Sequence, residues 1–365
     1  MTPWKLTHSI KGLRPLAVLP DCLIFYSNGV IYKVGHNLQQ PSLLCRLPAS
    51  SLAGQLAKYV RLIDRVLRSS PSHAIIFDNH LFLARRSEIW RCDLNNGNLS
   101  LDFRIPDNRR SLGFCELSNR DGTKELVFGE YFSNPKRRPV RIWGRNSGAA
   151  KWLQRAEFCA GEIEHVHAVT FVNGQVYVLT GDFDQAAAIW ISDTEFSALR
   201  PLKRGRQEFR AAWMETIGGR VFMATDTQLE SNHLLEFRIE NGVDVTLQSL
   251  AGLDGSSIYS GRGPKEIFFS TTVECGEPTG NFIRDLLDIR PGPGMLSLKA
   301  FLMSIDDQGH VTELYSADKD SWPFRLAQFG TFIFPSGIMP PDTLYVYGVA
   351  LKGVDGRFLV FRRKA

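Results

Sequence analysis

The sequence of 365 residues predicts an all-β fold, a β-propeller of about seven four-stranded blades, with six as the alternative count. Short runs of β-branched and aromatic residues close at Gly, Asn or Asp, which is the pattern of half-buried strands. Four of these runs resemble one another, and each passes through a small residue and reaches an acid at its end. They are KELVFGEY (124–131), GQVYVLTGD (174–182), GRVFMATD (219–226) and KEIFFSTTVE (265–274).

The acids at the ends of these runs recur with the period of propeller blades. By subtraction their separations are 52, 44 and 48 residues, for Glu130, Asp182, Asp226 and Glu274. An apolar segment precedes each run and a third segment follows, so one period holds three or four antiparallel strands. Weaker copies extend the series at 22–35, 80–93 and 330–363. We therefore expect a single propeller domain over residues 1–365.

Two segments interrupt the repeat. Residues 52–70 carry apolar positions at helical spacing and basic residues mostly elsewhere, which predicts a short helical insertion. This helix is expected to cap a blade edge or lie beneath the propeller, and contact with a membrane surface is the less favoured alternative. Residues 276–294 are rich in Gly and Pro at both ends and predict a loop insertion with one or two helical turns.

Composition excludes several classes of protein. The chain has 43 basic and 38 acidic residues, a net charge of +5, and no block of like charges, so nucleic acid is not an expected partner. The six cysteines form no CxxC pair, which favours free thiols over a zinc site or a disulfide framework. The sequence shows no signal peptide and no apolar stretch long enough to cross a membrane, so a cytoplasmic protein is expected.

The segment HVHAVTFVNGQVYVLTGD (165–182) predicts a β-hairpin that turns at Asn173-Gly174. The start of the first strand and the end of the second lie at one rim of an antiparallel pair. His165 and His167 are two residues apart on one strand and share a face, so both should lie near Asp182. The histidines have three interpretations: structural hydrogen bonding, acid–base chemistry or contact with substrate, and ligation of a divalent metal.

The same geometry applied to neighbouring blades predicts a polar funnel at one mouth of the central channel. The expected catalytic residues are His165, His167, Asp182, Asp226 and Glu274, with His165 and His167 also as the candidate metal ligands. The expected substrate-binding residues are Glu130, Gln207, Arg210 and Asn232. Each acid has a structural alternative, because Asp and Glu at strand ends often bond to nearby backbone N–H groups.

Five segments together resemble a family of uncharacterised bacterial propellers described as glycosyl-hydrolase-like or sialidase-like BNR-repeat proteins. They are FGEYFSNPKRRPVRIW (128–143), IEHVHAVTFVNGQVYVLTGDFD (163–184), GRQEFRAAWM (205–214), TDTQLESNHLLEF (225–237) and STTVECGEP (270–278). The resemblance covers roughly residues 15–364 and implies a propeller associated with surface-polysaccharide biosynthesis. The Asp-box pattern is nearly absent and only Arg210 occupies the place of a sialidase arginine, so sialidase activity is not expected.

Two functional classes remain. The first is an enzyme that cleaves a bacterial exopolysaccharide or surface glycan, either as a glycoside hydrolase with paired carboxylates or as a lyase on a uronic-acid polymer. In the lyase, His165 or His167 would act as the base and Arg210 would pair with the uronate carboxylate. The second is a noncatalytic propeller that binds a glycan or a protein through the same mouth. A polysaccharide or oligosaccharide partner is common to the enzyme and to the glycan-binding propeller.

Overall fold

Seven four-stranded antiparallel sheets form a β-propeller, which confirms the predicted fold and decides between seven and six blades. The structure is a computed structural model, and it describes residues 4–49, 52–183, 185–240 and 244–364. Residues in or beside the innermost strand of every blade line the central channel. Strand β1 (Trp4–Lys11) is the exception to the order along the chain, because it belongs to the last blade.

Blades 1 to 3 each take four consecutive strands, ordered from the channel outwards. Their strands are β2 (Arg14–Val18), β3 (Cys22–Ser27), β4 (Val30–Gly35), β5 (Ser42–Arg46), β6 (His73–Phe77), β7 (His80–Arg85), β8 (Glu88–Asp93), β9 (Leu99–Arg104), β10 (Cys115–Ser118), β11 (Lys124–Gly129), β12 (Val140–Asn146) and β13 (Leu153–Phe158).

Blades 4 to 6 repeat this order. Their strands are β14 (His165–Val172), β15 (Gln175–Gly181), β16 (Ala188–Ser192), β17 (Arg200–Arg204), β18 (Ala211–Ile217), β19 (Arg220–Thr225), β20 (Asn232–Glu240), β21 (Asp244–Leu253), β22 (Ser256–Arg262), β23 (Glu266–Thr272), β24 (Lys299–Asp306) and β25 (Val311–Asp318).

Blade 7 closes the ring by joining the two ends of the chain. It contains β26 (Thr331–Ile333), β27 (Thr343–Val349) and β28 (Arg357–Arg363), and β1 pairs with β28 as its outermost strand. This pairing runs from Trp4 opposite Arg363 to Lys11 opposite Arg357. Because the first strand completes the last sheet, opening the ring would expose the edge of β28.

The apolar core lies between neighbouring blades. Blades 3 and 4, for example, share a cluster in which Val127 and Ile142 pack with Val166 and Val178. The approach is close at Gly129, where a β-carbon would lie 2.3 Å from a methyl carbon of Val166. Val166 stands between the two histidines of the hairpin, so this contact helps to fix where β14 begins.

The helical insertion consists of two short helices, α1 (Leu52–Ala57) and α2 (Arg61–Leu67), where one was predicted. Residues of α2 line a cavity that adjoins the central channel. The chain turns between them, so the expected apolar stripe does not form one face, and Leu56 and Val60 are exposed. Arg65 is buried and joins α2 to the propeller through Asp320, at 2.6 Å. The predicted loop insertion contains α3 (Phe282–Leu286), and α4 (Phe324–Ala327) packs near α2.

No helix in the described parts of the chain combines the length and apolarity that crossing a membrane requires. All six cysteines are free thiols, as the sequence predicted.

Candidate functional site

The hairpin of β14 and β15 places the two histidines at the rim, as the sequence predicted. Asn173 and Gly174 both have positive φ, which a two-residue turn of this type requires. His165 lies opposite Gly181, the residue before Asp182. The register shifts between Val166 and Ala168, so a β-bulge falls at His167. A β-carbon at Gly181 would lie 2.6 Å from His167 Cε1, so glycine leaves room for the imidazole.

Possible ligand atoms of three residues converge at this rim. His165 Nε2 and His167 Nε2 lie 3.1 Å apart, His167 Nε2 lies 3.1 Å from Asp182 Oδ1, and His165 Nε2 lies 3.4 Å from Asp182 Oδ2. Both histidines are almost fully buried, and the Asp182 side chain is 23% exposed. We call these three residues the His–His–Asp cluster.

Hydrogen bonds on the far side of each ring fix the histidine tautomers. His165 Nδ1 lies 3.1 Å from the Phe132 carbonyl oxygen, and His167 Nδ1 lies 3.2 Å from the Ala211 carbonyl oxygen. A carbonyl can only accept, so each Nδ1 carries the hydrogen. Burial lowers the pKa of His167 to about 4, which leaves this imidazole neutral near pH 7. Its Nε2 therefore presents a lone pair to the cluster.

The cluster fits a divalent first-row metal. Two imidazole nitrogens and a carboxylate suit Zn²⁺ or Mn²⁺, and backbone carbonyls on the opposite ring nitrogens are typical of metal-ligating histidines. Ligand atoms about 2.0–2.2 Å from one ion stand about 3 Å apart as neighbours around it. The separations within the cluster are of this size. His165, His167 and Asp182 could thus hold a metal ion together.

Asp182 is held as a carboxylate by its neighbours. Burial raises the pKa of Asp182, but the charge of Arg210 opposes this shift, and the pKa lies well below its usual range. Arg210 Nη2 lies 2.8 Å from Asp182 Oδ1, and Arg210 Nη1 donates to the Asp182 carbonyl. Gln207 Nε2 donates to the same carbonyl at 3.1 Å. Gln207 and Arg210, predicted to bind substrate, therefore contact the cluster directly.

Asp226 and Glu274 line the cavity beside the cluster. Burial raises the pKa of Asp226 well above its usual range. The positive charge of Arg210 opposes this shift, and the negative charges of Glu274 and Asp182 add to it. Asp226 Oδ2 lies 3.4 Å from His167 Nδ1, whereas its buried Oδ1 has no hydrogen-bond partner among the described residues. Burial also raises the pKa of Glu274, which accepts a hydrogen bond from Ser256.

Glu130 and Asn232 are placed away from this group. Glu130 is fully buried and pairs with Arg109, and it accepts hydrogen bonds from the Arg141 backbone and from Trp143 Nε1. Asn232, the first residue of β20, is buried and bonds to Thr225 and to the backbone of residue 227. Neither side chain lines the cavity. The buried ion pair and hydrogen bonds of Glu130 favour the structural alternative for this acid.

A cavity of about 340 Å³ lies over the cluster and continues into the central channel. His167, Asp182, Arg210, Asp226 and Glu274 form one side. Tyr131 and Tyr259 also line the cavity, together with three arginines that were not predicted as site residues, Arg68, Arg86 and Arg110. The ring of Tyr131 lies 4.2 Å from that of His165, between centroids.

One of the missed arginines carries a signal in the sequence. Arg86 directly follows β7, as Asp182 directly follows β15, so the rule that gathered the acids would have found it if it had been extended to blade 2. Arg110 lies in the loop before β10 and Arg68 at the end of α2, where this rule does not apply.

Comparisons with known proteins define the fold. No family model and no curated protein sequence matches the chain, so no family match supports the resemblance to sialidase-like BNR-repeat proteins. An oligogalacturonate lyase in complex with manganese superposes with a TM-score of 0.57 at 8% identity, covering 97% of this chain and 90% of that one. An oligogalacturonate lyase from Vibrio parahaemolyticus gives 0.53 at 11% identity, covering 98% and 90%.

A chain of the mitotic checkpoint complex also gives a TM-score of 0.53, at 10% identity, covering 100% of this chain and 95% of that one. Its score equals that of the second lyase, although the assemblies differ. These similarities therefore establish the propeller fold alone, and the function has to be argued from the site.

Proposed function

We propose that this propeller binds an acidic oligosaccharide in the cavity and cleaves it by β-elimination with the help of a divalent metal. The observation that carries the proposal is the convergence of two imidazole Nε2 atoms and a carboxylate, beside a buried arginine and a carboxylate with an unpaired oxygen. A manganese-bound oligogalacturonate lyase of similar fold supports the same chemistry. The resemblance to polysaccharide-associated propellers makes a bacterial surface glycan the candidate source.

The His–His–Asp cluster would hold the metal. A bound divalent ion supplies a Lewis acid that polarises the carboxylate of a uronic-acid residue. Arg210 keeps Asp182 ionised, and its buried Nε has no hydrogen-bond partner among the described residues. This N–H is the donor that remains for the substrate carboxylate. Arg210 would therefore both position a ligand residue and orient the uronate.

Asp226 is assigned as the base. Its unpaired Oδ1 would take the proton from the ring carbon next to the uronate carboxyl group, and the electron pair left behind forms the new carbon–carbon double bond. The bond from the adjacent carbon to the glycosidic oxygen then breaks. Burial raises the pKa of Asp226, which makes its carboxylate a stronger base.

The leaving oxygen needs a proton, and Tyr131 is assigned as its donor. Tyr131 lines the cavity next to His165, and burial raises the pKa of its hydroxyl, which keeps the proton available near neutral pH. This assignment replaces the expectation that a histidine acts as the base, because the Nε2 atoms of both histidines would ligate the metal.

The test is to incubate the purified protein and Mn²⁺ with oligogalacturonates and to record near-ultraviolet absorbance together with new reducing ends. Elimination gives one unsaturated product end for each new reducing end. The His167→Ala variant should form no product, whereas His310→Ala, a change at an exposed histidine, should match the wild type. Reducing ends without unsaturation would replace the lyase with a hydrolase. Glycan binding without any product would identify a noncatalytic binding propeller.

A further inference from the structure

One part of the cavity wall, formed by residues of the helical insertion and of blades 2 and 3, is basic. Arg68, Arg86 and Arg110 line it together, and we call them the arginine cluster. None of the three has a carboxylate within ion-pair distance among the described residues. In contrast, Arg61 of the same insertion pairs with Asp64 and Asp355.

Three separate elements bring these arginines together. Arg68 ends α2 in a left-handed conformation. Arg86 follows β7 and donates from Nε and Nη2 to the Leu67 carbonyl at the end of the same helix. Arg110 forms a backbone bridge with Tyr131, which connects the arginine cluster to the His165 side of the cavity. The insertion thus completes a wall that the blades alone would leave open.

The positive charges of the three arginines repel one another. The pKa of Arg110 is lowered, by burial and then by the charges of Arg68 and Arg86. Natural proteins usually pair such groups, because clustered like charges without partners destabilise the fold. Guanidinium groups also match carboxylates geometrically through paired N–H donors. An unpaired group of this kind in a cavity is therefore suited to an anionic ligand.

We infer that the arginine cluster is a second anion subsite, which binds a carboxylate of the oligosaccharide one or more sugar residues away from the residue that reacts. This inference rests on the proposed function and narrows it to substrates with several acidic groups. A monomeric uronate would reach only the His–His–Asp side, whereas an oligouronate spans both sides. Tyr259 lines the same cavity, and the charges of both Arg68 and Asp226 act on its hydroxyl group.

Calorimetric titration of metal-free protein with trigalacturonate tests the inference in the absence of turnover. Arg110→Gln should weaken binding roughly tenfold, because one charge-assisted hydrogen bond to a partly exposed group is lost. The affinity should also depend less on ionic strength in this variant. The Arg110 side chain is exposed and makes no hydrogen bond or ion pair within the described residues, so its loss should leave the fold intact. Arg68→Gln serves as a second variant.

Two controls accompany this titration. Arg120→Gln changes an exposed arginine in the β10–β11 turn, at the opposite rim, and should bind like the wild type. Fully methyl-esterified trigalacturonate should bind the wild type weakly and should not distinguish it from Arg110→Gln.

The outcomes separate the subsite from the reaction when product formation with Mn²⁺ is measured in parallel. Arginine-dependent binding without product supports the subsite and overturns the lyase. Product formation with equal affinity in all variants overturns the subsite and leaves the lyase standing. Absence of trigalacturonate binding to the metal-free wild type overturns the subsite, and absence of product with Mn²⁺ as well overturns the lyase.

Discussion

The Nε2 atoms of His165 and His167 face each other at 3.1 Å, while the Nδ1 atom of each ring donates to a backbone carbonyl. The buried His167 imidazole directs its Nε2 lone pair at His165 Nε2 and at the Asp182 carboxylate. This lone pair and the carboxylate charge repel each other unless a cation lies between the three residues. The folded protein should therefore gain stability from a metal ion that binds there.

Addition of Mn²⁺ or Zn²⁺ to metal-free protein is expected to raise the melting temperature. A ligand at about 100 times its Kd stabilises the folded state by about 2.7 kcal/mol. His167→Ala should lower metal affinity by at least the roughly 10- to 100-fold that changes in outer-shell partners cause. Thermal unfolding and metal analysis of the dialysed protein measure both effects. Equal metal content and equal stabilisation in wild type and His167→Ala would remove the metal site.

Glu130 is expected to matter for stability and not for metal binding. It is fully buried against Arg109, so Glu130→Ala leaves an uncompensated buried charge, and this typically costs about 3–5 kcal/mol. The matched control in the same blade is Glu157→Ala, which removes a partly exposed pair with Arg141 and should cost at most about 1 kcal/mol. Urea unfolding measures both changes. A loss of metal affinity in Glu130→Ala would place this acid in the site after all.

The contrast between Glu130 and Asp182 shows what spacing alone can predict. Both acids follow the second strand of their blades, so the repeat correctly predicts the rim at which they lie. It does not predict the direction of the side chain, since a shift of one residue turns a side chain to the other face. In blade 3 the next residue, Tyr131, faces the cavity, and Glu130 turns inward to Trp143.

Other parts of the site depend on features that have no local pattern. The pairing of Arg210 with Asp182 follows from the approach of blades 4 and 5, which a period in the sequence does not specify in detail. The arginine cluster requires α2, and the break between α1 and α2 places Arg68 over the cavity. The apolar stripe at 52–70 correctly predicted helical structure but not the break between the two helices. The spacing of apolar residues indicates helix, whereas packing against the propeller decides where a helix ends.

His73 is expected to make folding stability depend on pH. Burial and the charge of Arg14 lower the pKa of His73 to about 3, from 6.5. The unfolded chain therefore binds a proton that the folded chain resists. The stability that neutral His73 contributes is present above about pH 6.5 and is lost as the pH falls toward 3, by at most about 1.4 kcal/mol per pH unit.

Substitution of His73 tests this dependence. Gln retains polar contact with Ser111, whose Oγ lies 3.1 Å from His73 Nε2, but it does not titrate. His73→Gln should therefore lose less stability on acidification than the wild type, as measured by urea unfolding near pH 7 and near pH 5. His8→Gln, at an exposed histidine, should behave like the wild type. Identical pH profiles for His73→Gln and the wild type would contradict the prediction.

Asp226→Asn should separate binding from chemistry. Asparagine keeps the shape of the side chain and the carbonyl oxygen at the cavity, but it cannot accept the proton that elimination releases. Loss of a general base lowers turnover by roughly 10²- to 10⁴-fold. The Kd for trigalacturonate and for Mn²⁺ should change little, because Asp226 is not a member of the His–His–Asp cluster. Initial rates of unsaturated product give the turnover, and calorimetry gives the Kd values.

Asp307→Asn, at an exposed acid on the β24–β25 turn, is the control and should retain full activity. Full turnover in Asp226→Asn would assign proton removal to another side chain, of which Glu274, on the same side of the cavity, is the next to substitute.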